Sequence, residues 1–320
     1  MWLFHDAKFG FINMRRKAYV VSAGVLAVGI VAMVVNFATI GSWQNYGVDF
    51  TGGVLVQVAF DPPTDDTELR GALGGAQAPT ITSFGNEGDY VIRAAVEEGV
   101  GIDVVATGLA EQIAASYGED RFEVVRTESV GAKIGEELQG RAALAILFSL
   151  LLTLLYIAIR FEFRFGVASV IATTHDILIV LGLLALVRVE ISLPTVAALL
   201  TIVGYSLNDT IVVFDRIREN LNARGGRRED PYKLVNRSIN ETLPRTVLTS
   251  GTTLGVLLSL LVLGGAVIQD FTMVLILGVL IGTYSSIFIA SPALLEIQKR
   301  YGAGDGRDKR KAKARRAAAV

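Results

Sequence analysis

No cysteine occurs in the 320 residues, which excludes a disulfide, a zinc–thiolate site, a cysteine nucleophile and an iron–sulfur cluster. Histidine is nearly as scarce. His5 and His175 are the only two, so a His-rich metal centre is not expected, and neither is any other cofactor. Charge is thin as well, at 19% Asp, Glu, Lys and Arg against the roughly 25% of an ordinary soluble domain. Apolar residues fill the gap: they make up 52% of the chain, and the mean hydropathy is +0.49. Several apolar runs of ~20 residues are each long enough to cross a ~30 Å hydrocarbon layer as a helix. The composition is that of an integral membrane protein.

Hydropathy places spans at Ala18–Ile40, Ala142–Ile159, Phe165–Val187, Ile191–Val213, Thr246–Leu263 and Phe271–Leu294. Arg15, Arg16 and Lys17 ahead of the first run resemble the start of a signal peptide. The run is too long for a ~7–15-residue signal core and no small-residue cleavage site follows, so a retained helix is expected. Cations set the orientation. With the N-terminus in the cytoplasm, 23 of the 30 Lys and Arg fall in inside segments, as the positive-inside rule requires. The expected division is a cytoplasmic N-terminus at 1–17, a first transmembrane helix at 18–40 and an extracytoplasmic α+β domain at 41–140. A five-helix membrane bundle at 141–295 follows, with a cytoplasmic loop at 214–245, then a basic cytoplasmic tail at 296–320.

The 41–140 region carries 17 Asp and Glu against five Lys and Arg, read as a solubility feature before a docking surface. Its pattern runs strand Val54–Phe60, a helix capped near Thr64-Asp65-Asp66 and running to Leu73, and strands near Thr80–Phe84 and Tyr90–Val96. A helix from Asp103 to Tyr117 and a strand Phe122–Arg126 complete it. This β-α-β-β-α-β order predicts a ferredoxin-like fold. Phe214–Glu241 reads as an amphipathic helix on the membrane surface or against the bundle. The tail, with Lys309-Arg310-Lys311 and Arg315-Arg316, lacks the apolar content to fold alone. Anionic lipid or RNA binding is the secondary reading of that tail, and no nucleic-acid partner is expected. Gly251/Gly255 and Gly278/Gly282 have the spacing for close helix contact and are expected to pack internally.

Ionisable residues inside spans are costly and face a bundle interior or water. Asp176 lies mid-span in Thr173-Thr174-His175-Asp176, and Asp209 lies in Gly204-Tyr205-Ser206-Leu207-Asn208-Asp209-Thr210. Tyr205 and Ser206, four and three residues before Asp209, share its helix face, and Asn208 adds a polar neighbour. Interhelical hydrogen bonding is the plainer reading of each. Arg245, followed by Thr249 and Ser250, is expected near the depth of Asp209, where a long guanidinium side chain reaches a carboxylate. Such a pair favours the ionised Asp, and moving the Arg away favours protonation. A snorkelling cation is the plainer reading of Arg245.

The stretch Val203–Asn220, with Gly204-Tyr205-Ser206-Leu207-Asn208-Asp209-Thr210 at its centre, closely resembles SecF, the smaller membrane subunit of the bacterial SecD–SecF protein-export complex. Asp49-Phe50-Thr51-Gly52-Gly53 after the first span, His175-Asp176 in the third, and Arg245-Thr246 followed by Ser250 extend the resemblance over nearly the whole chain. It implies an inner-membrane protein, related to the resistance-nodulation-division transporters, that works with SecD and the SecYEG translocon on a translocating preprotein. It also implies that Asp209 and Arg245 couple proton passage, driven by the proton-motive force, to movement of the extracytoplasmic domain. No enzymatic activity is expected. An intramembrane aspartyl protease using Asp176 and Asp209 would need a Gly-x-Gly-Asp context, whereas Leu207-Asn208 precede Asp209. Half of a proton-coupled small-molecule exporter and a purely structural subunit are the remaining alternatives.

Overall fold

A computed structural model describes residues 7–301 apart from 76–78, 84, 86, 95, 97–100 and 266–267. His5, Phe84 and the basic tail beyond Tyr301 lie outside the described residues.

Among the described residues six helices are long and apolar enough to cross a membrane, and the chain is an α-helical membrane protein with one small α+β unit. The first is α1 (Phe11–Ile40), followed by the two-residue strand β1 (Asn45–Tyr46) and the short helix α2 (Val48–Thr51). The α+β unit comprises β2 (Gly53–Phe60), α3 (Asp66–Ala72), β3 (Thr80–Ser83), β4 (Asp89–Ala94), α4 (Ile102–Tyr117) and β5 (Phe122–Val130). Its sheet order is β3-β4-β2-β5 with every neighbouring pair antiparallel, which is the ferredoxin-like arrangement expected from the strand and helix order. Side chains alternate across β2. Val54, Val56, Val58 and Phe60 meet Leu69 of α3 and Leu109 and Ile113 of α4, while Leu55 joins Val48 and Val91 on the other face. The Asp65 carboxylate caps α3, accepting the Thr67 N–H at 3.0 Å, as its Thr-Asp-Asp start foretells.

The bundle is built from α5 (Ala132–Arg160), α6 (Phe163–Val187), α7 (Leu193–Asn222), α8 (Pro231–Leu263) and α9 (Gln269–Ser285). A π-helical turn at Ser286–Ala290 joins α9 to α10 (Ser291–Tyr301). The inner helices are α6, α7 and α9, whereas α1, α5 and α8 leave most of their apolar surface uncovered. Leucine and valine side chains such as Leu152, Val31 and Val256 point outward, as a hydrocarbon solvent permits. Close helix approach depends on glycine at two crossings. A Cβ on Gly278 would lie 2.1 Å from Ile202 Cγ1, and one on Gly29 would lie 2.7 Å from the Gly182 Cα.

Three expectations need correction. Ile191, taken as the start of the fourth span, belongs to the strand β6 (Glu190–Ile191), which pairs in parallel with β1. Phe214–Glu241 lies against the bundle, one of the two expected placements, with Phe214, Ile217, Leu234, Val235 and Ile239 buried in its core, but it is not one separate helix. It is the end of α7 and the start of α8, prolonged past the apolar runs as a helical hairpin, with α8 running unbroken through Pro244. Polar contacts add to that apolar packing. Asn220 Nδ2 donates to Ser238 at 2.9 Å, and Arg216 pairs with Glu241 at 2.7 Å. Gly251 and Gly255, finally, are exposed with no atom of the chain near a would-be Cβ. Of the two glycine pairs only Gly278/Gly282 packs internally.

Candidate functional site

Among the described residues two carboxylates are buried in the inner helices, and they are held very differently. Asp176, on α6, is 0% exposed. Its Oδ2 accepts hydrogen bonds from Ser206 Oγ on α7 and Ser285 Oγ on α9, both at 2.6 Å. Its Oδ1 lies 2.9 Å from His175 Nδ1. One side chain thereby joins three helices through short bonds, the arrangement that fixes a polar network in a low-dielectric interior. The ring of His175 stacks on Tyr284, and its Nε2 is buried without a partner among the described residues. Ser285 immediately precedes the π-helical turn, a local unwinding common at functional positions.

Asp209, on α7, is 2% exposed, yet its contacts are long. Ser250 Oγ of α8 lies 3.5 Å and Thr283 Oγ1 of α9 lies 3.4 Å from its Oδ2. Neither hydroxyl is committed to it. Thr283 has a single proton to give and a nearer acceptor in the Val279 carbonyl oxygen at 2.7 Å. The two hydroxyls also sit 2.7 Å from each other, and Tyr205 donates to Ser250 at 3.3 Å. Asp209 therefore sits in a ring of hydroxyls contributed by three helices and is locked to none.

The polar residues around Asp209 are distributed in a way that spacing alone does not reveal. Ser206, three residues away on the same helix, turns its hydroxyl to Asp176, and Tyr205 reaches Asp209 only through Ser250. Asn208 is exposed beside Gly204 and Thr201 on the outward side of α7. Arg245 is exposed on the neighbouring helix α8. No ion pair within 4 Å joins it to Asp209 among the described residues. No hydrogen bond joins Asp176 to Asp209, as a shared-proton dyad would require. Thr283 and Ser285 were missed in the sequence. Hydroxyl residues in helices habitually bond their own backbone one turn back, so nothing in their spacing marks them.

At the sheet end of the bundle, the Asp49-Phe50-Thr51-Gly52-Gly53 segment is not free. Phe50 is buried among Val180, Leu184, Leu199 and Ile202, and Asp49 reaches the start of α7.

Comparison with known proteins completes the picture. Residues 110–300 match the family model for the protein export membrane protein SecD/SecF, C-terminal, and residues 45–64 match the SecD/SecF GG motif. The chain is 45% identical over 306 residues to a protein translocase subunit SecF of Gemmatimonas aurantiaca, covering 93% of this chain and 90% of that one. It is 42% identical over 300 residues to the protein translocase subunit SecF of Vibrio alginolyticus, covering 92% of each. Among solved structures, SecDF of Thermus thermophilus, described as a translocon-associated membrane protein, superposes with a TM-score of 0.77 at 41% identity, over 94% of this chain. A SecDF in a super-membrane-facing form superposes with a TM-score of 0.63 at 38% identity, over 98% of this chain. The chain spans 40% of each of those longer SecDF chains.

Proposed function

The chain belongs to the SecF family of protein translocase subunits, and on that premise we propose that it couples proton passage through Asp209 to work on an exported polypeptide. The observation that carries this reading is the contrast between the two buried carboxylates. Asp176 is fixed by three short contacts, whereas Asp209 has only hydroxyls at 3.4 and 3.5 Å that have other partners. A buried acid that exchanges a proton needs donors able to turn toward the ionised form and away from the neutral one. Ser250 and Thr283 have that freedom.

Arg245 supplies the opposing charge in this reading. It stands on the exposed side of α8, and with Thr252, Gly255 and Ser259 it leaves polar and small residues bare among the exposed Leu248 and Val256. Gly204 and Asn208 do the same on α7. A hydrocarbon solvent makes such a face expensive unless protein covers it. The partner is SecD, whose helices cover this face and complete a proton route past Asp209 and Arg245. SecYEG and the emerging preprotein are the further partners, in the bacterial inner membrane. Both termini lie in the cytoplasm and residues 41–140 lie outside, supported by the distribution of Lys and Arg.

The energy suffices. One charge crossing 100 mV releases ~2.3 kcal/mol, and each pH unit of gradient adds ~1.4 kcal/mol. A few kcal/mol per proton shifts a two-state equilibrium by orders of magnitude. The test is Asp209→Asn in otherwise intact SecD-containing complexes. Loss of gradient-dependent export is the expected result, and export at the unaltered rate retires the mechanism.

A further inference from the structure

The α+β unit and the helix carrying Asp209 meet in one place. The first turn of α7 leaves backbone donors that no residue of the helix can satisfy. Pro194 has no N–H. The Val196 N–H goes to the Ser192 carbonyl at 3.1 Å, and the Thr195 N–H has the Ser192 hydroxyl at a weak 3.5 Å. The Leu193 N–H is taken by Asp49 Oδ2 at 2.7 Å, across 144 residues of chain. Asp49 thus acts as a remote cap, and its negative charge suits the positive end of the helix macrodipole.

The residues around Asp49 are built to hold it there. Asn45 and Tyr46 pair with Glu190 and Ile191, and the Gly47 N–H donates to the Ile191 carbonyl at 2.9 Å. Glu190 forms an ion pair with Arg93 of β4, the strand beside β2. Burial depresses the Arg93 guanidinium from its ordinary value, and Asp270 at the start of α9 offsets this. Gly135 of α5 lies against the Phe50–Gly52 backbone, where a Cβ would meet the Phe50 oxygen at 2.8 Å. Gln139 Nε2 donates to the same oxygen at 3.0 Å. The chain then turns directly into the central strand through Gly52 at φ 72°, ψ 165° and Gly53 at φ 124°. Residues with a side chain scarcely enter that region, so the two glycines let a helix cap and the sheet lie side by side.

On the proton-coupled reading above, we propose that Gly47–Gly53 is a fixed joint between α7 and the sheet, with Asp49 as the positioning residue that sets where Asp209's helix stands relative to the outer unit. Displacement of α7 then passes to β2 through Asp49, Phe50 and the Glu190–Arg93 pair, without a flexible linker to absorb it. What this role asks of the Asp49 side chain is a hydrogen-bond acceptor oxygen rather than a charge.

That distinction supplies the test. Asp49→Ala, Asp49→Asn and Asp209→Asn are each made in the full chain with its SecD partner, and gradient-dependent export is measured per amount of complex in the membrane. Asp49→Ala loses the cap and is expected to export roughly five- to tenfold less, whereas Asp49→Asn keeps an oxygen for the Leu193 N–H and stays within about threefold of the unaltered protein. Asp49→Ala exporting normally while Asp209→Asn does not overturns the joint alone. So does Asp49→Asn losing export at a normal level of complex, because the charge and not the cap would then matter. If Asp49→Ala fails to accumulate, the Asn variant decides in the same terms. Full export by Asp209→Asn is the separate signature of a failed proton-coupled reading.

Discussion

Ser206 lies one helical turn from Asp209, yet its hydroxyl donates to Asp176 at 2.6 Å. The helix α7 therefore serves both carboxylates at once, offering a hydroxyl to one neighbour and an acid to another. Substitutions at the two acids should consequently separate into different classes of defect.

Asp176→Ala strands the hydroxyl of Ser206 and the ring nitrogen of His175 in the bundle interior and leaves Ser285 only the Gly282 carbonyl, at 3.1 Å. Each buried group left without a partner costs ~1–3 kcal/mol, so the variant should melt well below the unaltered protein in detergent and accumulate poorly. Asp176→Asn, which keeps an acceptor oxygen, should be milder. Asp209→Asn should melt close to the unaltered protein, because the bonds it disturbs are long. Thermal unfolding of the three purified variants in one detergent checks the ranking.

Thr283→Val removes a hydroxyl that lies 3.4 Å from Asp209 and 2.7 Å from Ser250. Little stability is at stake, ~1 kcal/mol or less for a net hydrogen bond. Gradient-dependent export should nonetheless fall several-fold, since the acid loses one of its two adjustable donors. Equal melting temperature with reduced export is the expected pair of readings.

Gly278→Ala drives a methyl group to within 2.1 Å of Ile202 Cγ1 at the α7–α9 crossing. Overpacking of this kind costs ~1–3 kcal/mol. The companion change Ile202→Ala opens space at the same point and should recover part of the loss. A double-mutant cycle on unfolding temperature shows the coupling.

Gly255→Leu places a large side chain where the chain itself has nothing within 4 Å. The isolated protein should fold and melt as before. If α8 faces SecD, as proposed, co-purification with that partner should drop sharply. Undiminished co-purification moves the partner interface elsewhere.

Acid should loosen the start of α3. The Thr67 backbone N–H holds the Asp65 carboxyl below its ordinary value. A depressed folded value means that the cap contributes fully above the unfolded carboxylate range and is lost as pH falls through the folded one. The protection of the Thr67 amide, its exchange relative to an unstructured amide at the same pH, should therefore fall at low pH, and in Asp65→Ala it should be low throughout.

Length and apolarity made the six spans legible, because twenty uninterrupted apolar residues have few other uses. Alternation in Val54–Phe60 and the turn glycines Gly85 and Gly88 made the ferredoxin-like order legible for a similarly local reason. Asp176 and Asp209 announced themselves by their cost. What the sequence left hidden was every relationship set by helix rotation and long-range docking. The direction of Ser206, the service of Thr283 and Ser285, and the outward turn of Gly251 and Gly255 depend on which neighbour lies at each azimuth of a helix buried on several sides. The reach of Asp49 to Leu193 depends on β1 meeting β6, and two-residue strands leave no periodic trace.

The pairing of β1 with β6 also orders events during synthesis. The last strand of the sheet ends at Val130, while Glu190 and Leu193 emerge from the ribosome ~60 residues later, a delay of ~3–12 s at ~5–20 residues per second. The α+β unit thus has time to fold before β6 exists to pair with β1, and Asp49 can cap α7 only once the α6–α7 hairpin has formed. A chain halted before residue 190 would hold the folded unit through the α5 contacts of Gly135 and Gln139, without the β1–β6 pairing and without the Asp49 cap on α7.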